Sequence, residues 1–247
     1  MKKILCSYST IEFKKSLDLL EKTANEIGHV ETIMYNKEWL EALEFYKKNK
    51  YILSQPRGAG YWMWKFPTIF NTLETLEDGD IVMYVDAGIK VIDDLNPLFE
   101  VAKNNRNNRP VFFKLPAVDV PHHLLKTWTK KDAFVLMDAD TPKYWNANMV
   151  NAAVSLWTKN TETLTFLNEW EKYLRDPRIL TDSPNMCGFN YAEFKNHRYD
   201  QSILSILAVK HDFELYRDPT QWGNDEKNLF TNSPYLQLFY HHRNFKH

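Results

Sequence analysis

The sequence predicts an α/β fold: a mostly parallel mixed sheet with helices on both faces. Three observations carry that expectation. The first half of the chain alternates short apolar runs with amphipathic stretches in the order strand, helix, strand, helix, strand. The run Ile81-Val82-Met83-Tyr84-Val85 is continuously apolar and follows a turn at Asp78-Gly79-Asp80, the pattern of a strand buried on both faces. The 247 residues, 44% hydrophobic, suffice for one large α/β domain or two small ones. With no repeat, low-complexity tract or evident linker, a single domain over 1–247 is expected.

Taken in order, Lys3 to Tyr8 reads as the first strand. A helix follows, with Phe13, Leu17, Leu20, Ala24 and Ile27 on one face and Gly28 at its stop. Val30 to Met34 reads as a strand and Lys37 to Lys48 as a helix. A segment rich in glycine and aromatics, Arg57 to Lys65, precedes a helix with Pro67 in its first turn and Phe66, Ile69, Phe70, Leu73 and Leu76 as its stripe. That helix feeds the strand ending at Asp86. In the second half, Asn96-Pro97 opens a helix, Val111 to Leu115 is a strand, Thr129 caps a short helix and Asn148 to Trp157 is a long strand. Thr161 caps the next helix, and Asp176 to Lys195 is irregular. A helix runs from about Asp200 to Lys210, with strands at Phe213 to Tyr216 and Leu236 to Tyr240.

Composition narrows the functional classes. A formal charge of −1 gives no net field toward nucleic acid or acidic lipid. No apolar run approaches a membrane span, and Met1 to Cys6 turns polar too soon for a signal peptide. Two cysteines, Cys6 and Cys187, are too few for a disulfide framework or a cysteine zinc site. The expectation is a cytosolic protein in a reducing compartment, with a peripheral membrane association left open. Aromatics, at 15%, supply core and also platforms that stack on sugars and bases.

Asp86 is the leading candidate for chemistry. A carboxylate at the C-terminal end of a buried strand lies where open α/β sheets bind ligands, as a metal or ribose ligand; the duller reading is a turn aspartate. Gly88 removes a side chain where another molecule can approach. Asp78-Gly-Asp80 and Asp138-Ala-Asp140 also have Asp-x-Asp spacing, but the first precedes its strand and the second reads as a solvated helix end. Arg57, Lys65 and Arg243 are candidate cations for a diphosphate, Lys65 sitting just before a helix. Tyr61, Trp62 and Trp64 stack on a ligand or fill core. His122-His123 lacks a partner at metal-ligand spacing and reads as surface.

The block Gly60-Tyr61-Trp62-Met63-Trp64-Lys65, a helix, and then Gly79-Asp80-Ile81-Val82-Met83-Tyr84-Val85-Asp86-Ala87-Gly88 resembles small bacterial and viral glycosyltransferases of the GT-A fold, of the capsular and lipopolysaccharide type. Asn148 to Trp157 resembles the acceptor-side strand of glycogenin-like members, and His197-Arg198-Tyr199-Asp200-Gln201-Ser202 resembles their Asp-Gln helix start. The resemblance covers Lys3 to the C-terminus and implies a donor-binding part over 1–95 and an acceptor-side part over 96–247. It implies a nucleoside-diphosphate sugar donor, UDP-linked first of all, and a glycan or lipid-linked acceptor. It implies donor contacts from Arg57, Lys65, Asp86, Ala87, Gly88, Gln201 and Arg243, and acceptor contacts from Trp62, Trp64 and His197. Asp200 is placed at the reacting sugar, with Asn151 and Asp132 as further catalytic candidates. A divalent ion, Mn²⁺ or Mg²⁺, would be held by Asp86 and by His241 or His242; adjacent strand residues face opposite ways, so not both. Gly88 departs from the family, whose pattern has a second aspartate there.

Two other readings stand beside glycosyl transfer. A non-catalytic glycan-binding module on the same scaffold would use the aromatics without chemistry. A metal-dependent nucleotidyltransferase or phosphohydrolase needs several carboxylates together, and the nearest to Asp86, Asp93 and Asp94, read as loop and cap.

Overall fold

The computed structural model describes residues 1–105, 108–116 and 123–242. Its main sheet has six strands: β1 (Lys3–Tyr8), β2 (Glu31–Tyr35), β3 (Ile81–Val85), β5 (Val111–Lys114), β6 (Val150–Thr158) and β7 (Leu215–Tyr216), in the order β2-β1-β3-β6-β5-β7. The β2–β1–β3 and β5–β7 neighbours are parallel, while β6 runs antiparallel to both β3 and β5. The sheet is therefore continuous across residue 95. A two-stranded sheet joins β4 (Ile89–Val91) to β8 (Phe239–His241).

Strand alternation explains the two-sided core. Ile4, Cys6, Val82 and Tyr84 pack into one cluster, and Leu5, Ile81, Met83 and Val85 into the other. Every residue of β3 is fully buried, as its unbroken apolar run requires. The helices Lys65–Glu74, Thr161–Leu174 and Tyr199–Lys210 cover the first face. The helices Lys14–Glu26 and Asn96–Asn104 cover the second.

Several boundaries differ from expectation for local reasons. The helix expected over Lys37 to Lys48 breaks where Leu43 turns extended, giving Lys37–Ala42 and Glu44–Lys48. Asn160, not Thr161, caps the Thr161–Leu174 helix, its side chain accepting from the Thr163 amide at 2.7 Å. Thr129 is extended and buried, one residue outside the cap position, and Lys131–Leu136 is the helix. Strand β8 reaches His241, and β4, which the sequence reading missed, begins three residues after Asp86.

An irregularity in β6 shapes the site edge. Phe112 of β5 pairs with Ser155, whereas the next residue, Phe113, pairs with Asn151. The extra residues bulge, and bulges re-aim side chains and carbonyls. Here the Asn151 side chain accepts from the Ala153 amide at 2.9 Å, and the Ala153 carbonyl accepts from the Asp86 amide at 2.8 Å.

Candidate active site

Asp86 lies one residue past β3, two positions after Tyr84, and so projects to the same face. The Tyr84 hydroxyl donates to Asp86 Oδ1 at 2.5 Å. Burial, with the Asp86 carboxylate beside it, holds that phenol well above its ordinary pKa, so Tyr84 stays a donor. The helices Lys65–Glu74 and Tyr199–Lys210 both cover this face, and their first turns bring Lys65 and Asp200 to the same point.

Lys65 is 4% exposed. Its ammonium is 3.2 Å from Asp86 Oδ1, 3.2 Å from Asp200 Oδ2 and 3.0 Å from the Ala152 carbonyl in the β6 bulge. Burial alone would depress its pKa; the Asp200 and Asp86 carboxylates overcome that and raise it. Asp200 is 3% exposed, and burial lifts its carboxyl to about 6, with Lys65 pulling it down and Asp86 pushing it up. Lys65 and the Gln201 amide both donate toward the Asp200 carboxylate. One cation thus serves two carboxylates, Asp86 with its side chain 33% exposed and Asp200 buried.

Gly88 is open to the same edge. A Cβ placed there meets nothing within 4 Å among the described residues, and its backbone is not left-handed. Its carbonyl accepts from the His242 amide at 3.2 Å, and Ile89 pairs with His241, bringing the C-terminal histidines alongside. His242 is buried, which lowers its pKa with help from Lys90 and His241. His241 is half-buried and lies within electrostatic reach of Asp218.

The other expected residues are distributed as follows. Asn151 donates to the Asp218 carboxylate, which also accepts from the Thr220 amide at 2.8 Å and the Thr220 hydroxyl. Gln201 donates to the Val150 carbonyl at 2.7 Å, tying the helix start to β6. Arg57 is half-exposed, its Nε donating to the Tyr199 hydroxyl at 2.7 Å. Ala87 is buried. Trp62 stacks on Tyr199 (5.3 Å between ring centroids, 19°), whereas Trp64 is buried against Tyr8 and donates to the Gly58 carbonyl.

Asp132 and His197 are not brought to the cluster. Asp132 is fully buried and accepts the Met186 and Cys187 amides at 2.8–2.9 Å, which anchors the loop after a short Pro177–Leu180 helix, within the stretch expected to be irregular, rather than exposing a base. His197 is buried between the Lys130 amide and the Ile179 carbonyl, and burial depresses it to about 3, so it is a neutral packing group. Asp140 is no solvated helix end: Lys131, Trp145 and Tyr191 all hold its carboxylate. Arg243 and His122 lie outside the described residues.

Sequence reasoning missed Tyr84, Asp218 and Tyr199. The signal was available for two of them. Tyr84 shares a strand face with Asp86, and Asp218 follows the end of β7 much as Asp86 follows β3. A cavity of about 350 Å³ between the Asn96–Asn104 helix and Asn232–Pro234 shares no lining residue with the Asp86 cluster.

No family model and no curated sequence matches the chain. Solved structures do. Mouse xyloside xylosyltransferase 1 superposes over 100% of this chain and 99% of its own, with a TM-score of 0.51 at 12% identity. The fold is that of the GT-A glycosyltransferases. Weaker likenesses are the glycosyltransferase GlyE of Streptococcus pneumoniae TIGR4 (16% identity, 98% of this chain and 54% of that one, TM-score 0.43) and a glycosyltransferase involved in glycosylation of the major capsid of PBCV-1 (13%, 100% and 96%, 0.46). On the GT-A fold the Asp86 cluster occupies the carboxyl edge of the parallel strands, where β6 enters from the opposite direction.

The described residues do not by themselves build a metal cage. Gly88 stands where a second carboxylate is expected, Asp86 Oδ1 already serves Tyr84 and Lys65, and no three His, Cys, Asp or Glu side chains among the described residues group closely enough to hold an ion. No helix among them is long and apolar enough to cross a membrane.

Proposed function

We propose that this protein is a glycosyltransferase that moves a sugar from a nucleoside-diphosphate donor, UDP-linked first of all, to a hydroxyl of a glycan or lipid-linked acceptor. The observation that carries the reading is the ionic cluster at the carboxyl edge of the parallel strands, where Lys65 holds the partly exposed Asp86 and the buried Asp200 together. Asp86, with its second oxygen open to the crevice, receives a ribose or sugar hydroxyl. Gly88 leaves room for the diphosphate.

The chemistry needs little more from the chain than positioning and charge. Breaking the anomeric bond moves negative charge onto the leaving diphosphate, and the half-exposed Arg57 supplies positive field. Asp200, ionised at neutral pH, is oriented before the donor arrives, so no reorganisation is required as the bond breaks.

The test is a thermal-shift panel with UDP, GDP, CDP and CMP, each with and without Mn²⁺. Binding to the folded state alone stabilises by about 2.7 kcal/mol at a hundredfold excess over Kd. A shift with one nucleoside diphosphate, lost in Asp86→Ala, supports the reading. No shift with any nucleotide, alongside binding on a sugar array, would favour the glycan-binding module instead.

A further inference from the structure

The segment leading into Lys65 has an unusual backbone. Gly58, Ala59, Gly60, Tyr61 and Trp62 all have φ between 49° and 99°, a complete left-handed turn closed by bonds from the Tyr61 amide to Arg57 O (2.7 Å) and from the Trp62 amide to Gly58 O (3.2 Å). Left-handed backbone is disfavoured for residues with a Cβ, and three of these five carry one. The two glycines are there for space as well as rotation. A Cβ on Gly58 would lie 2.3 Å from the Trp62 ring, and one on Gly60 would lie 2.6 Å from Leu53 Cα.

Tyr199, the residue before Asp200, is also left-handed at φ 50°. The two strained segments pack on each other. Tyr61 and Trp62 both sit 5.3 Å from the Tyr199 ring. The Tyr199 hydroxyl accepts from Arg57 Nε at 2.7 Å and donates to Asp182 Oδ1 at 3.0 Å, so it joins the turn to the irregular segment across the site. The turn ends three residues before Lys65, and Tyr199 immediately precedes Asp200. Strain of this kind persists only where the surroundings over-determine it, and it concentrates at functional sites.

We propose that Tyr199, gripped by the left-handed turn Gly58–Trp62 and by Arg57 and Asp182, is a positioning residue that sets the Lys65–Asp200 ion pair. It acts through its neighbours and touches no reacting atom. The inference rests on reading Asp86, Lys65 and Asp200 as the donor end of the site. Its test reads the protein alone, so its failure is distinct from failure of the nucleotide panel.

The experiment records the ¹H–¹⁵N resonance of the Lys65 side-chain ammonium, identified by its loss in Lys65→Met and its displacement in Asp200→Asn. Tyr199→Phe keeps the ring and removes both hydroxyl links. It is expected to displace that resonance and speed its proton exchange with water about tenfold, the mark of a pair that opens more readily. Trp62→Ala, which removes the stack, should act in the same direction. Tyr51→Phe, which loses a hydroxyl bond to the Arg175 carbonyl elsewhere, should leave the resonance in place. Should Tyr199→Phe fail to fold, Asp182→Asn replaces it, since it alters only the half-exposed end of the clasp, and must move the same signal. Variants that fold with an unchanged Lys65 resonance and exchange rate would overturn the proposal.

Discussion

Lys65 and Asp200 start two helices far apart in sequence, yet their charged groups lie 3.2 Å apart, both essentially sealed from water. Lys65 spans from Asp200 to the half-buried Asp86, so the cluster carries two carboxylates on one ammonium. Its behaviour should dominate both stability and activity.

The first expectation concerns pH. The Asp200 pKa is raised in the folded chain to about 6, so its proton favours folding. That contribution is complete below the unfolded carboxylate pKa near 4 and is lost as pH rises through about 6, a difference on the order of 2–3 kcal/mol. Asp200→Asn keeps the shape of the protonated form. Denaturant melts should find it more stable than the parent at pH 7.5, with the gap closing near pH 4. Transfer activity should fall at least about a hundredfold at every pH, as expected when a positioned group at the reacting centre is lost.

The second concerns Lys65 itself. Lys65→Met leaves two carboxylates facing each other with no cation between them. Removing one partner of a buried pair costs about 3–5 kcal/mol. Urea titration at pH 7.5 should show a loss of that size. The double variant Lys65→Met/Asp200→Asn should recover part of it, because one of the stranded charges is gone.

Gly88 provides a test of the crevice. Neither its backbone nor packing among the described residues requires glycine there, so Gly88→Ala should fold with stability within about 0.5 kcal/mol of the parent. If the space belongs to the donor diphosphate, nucleotide affinity measured by calorimetry should nonetheless drop. Unchanged affinity would place the diphosphate elsewhere.

Ala59 tests the strain in the left-handed turn. It sits at φ 49° and ψ 48°, where a Cβ costs about 1–2 kcal/mol, while a glycine forfeits about 0.5–1 kcal/mol of that gain to unfolded-state entropy. Ala59→Gly should therefore melt at or slightly above the parent, against the usual direction for glycine substitutions. A clear loss of stability would mean the turn is not strained as described.

Much of this was legible in the sequence, for identifiable reasons. The Ile81–Val85 run and its bounding turn located β3 because complete burial leaves no polar alternation, and the strand-end position singled out Asp86. Asp200 was found through the resemblance of its helix start. Lys65 was expected as a free cation for phosphate; the structure instead buries it between carboxylates, since two helices on one sheet face converge at their first turns. His197 was singled out with the Asp-Gln helix start it precedes, and Asp132 as an alternative base or acceptor contact. Their partners are backbone groups of a loop more than 50 residues away for Asp132 and of Lys130 and Ile179 for His197, pairings that no local pattern encodes. The left-handed turn was legible only as glycines and aromatics, because nothing in Ala59, Tyr61 or Trp62 favours that backbone locally; packing on Tyr199 accompanies it.

The most direct test of the central claim is release of free nucleoside diphosphate from sugar nucleotides, UDP-sugars first, by the parent, Asp86→Ala and Asp200→Asn, with mixed glycan and lipid-linked acceptors present. The account predicts release by the parent with at least one donor and loss of about a hundredfold or more in both variants, with their folds intact. Parent-level release by Asp86→Ala or Asp200→Asn, or no release from any sugar nucleotide by a parent that binds glycans, would contradict it.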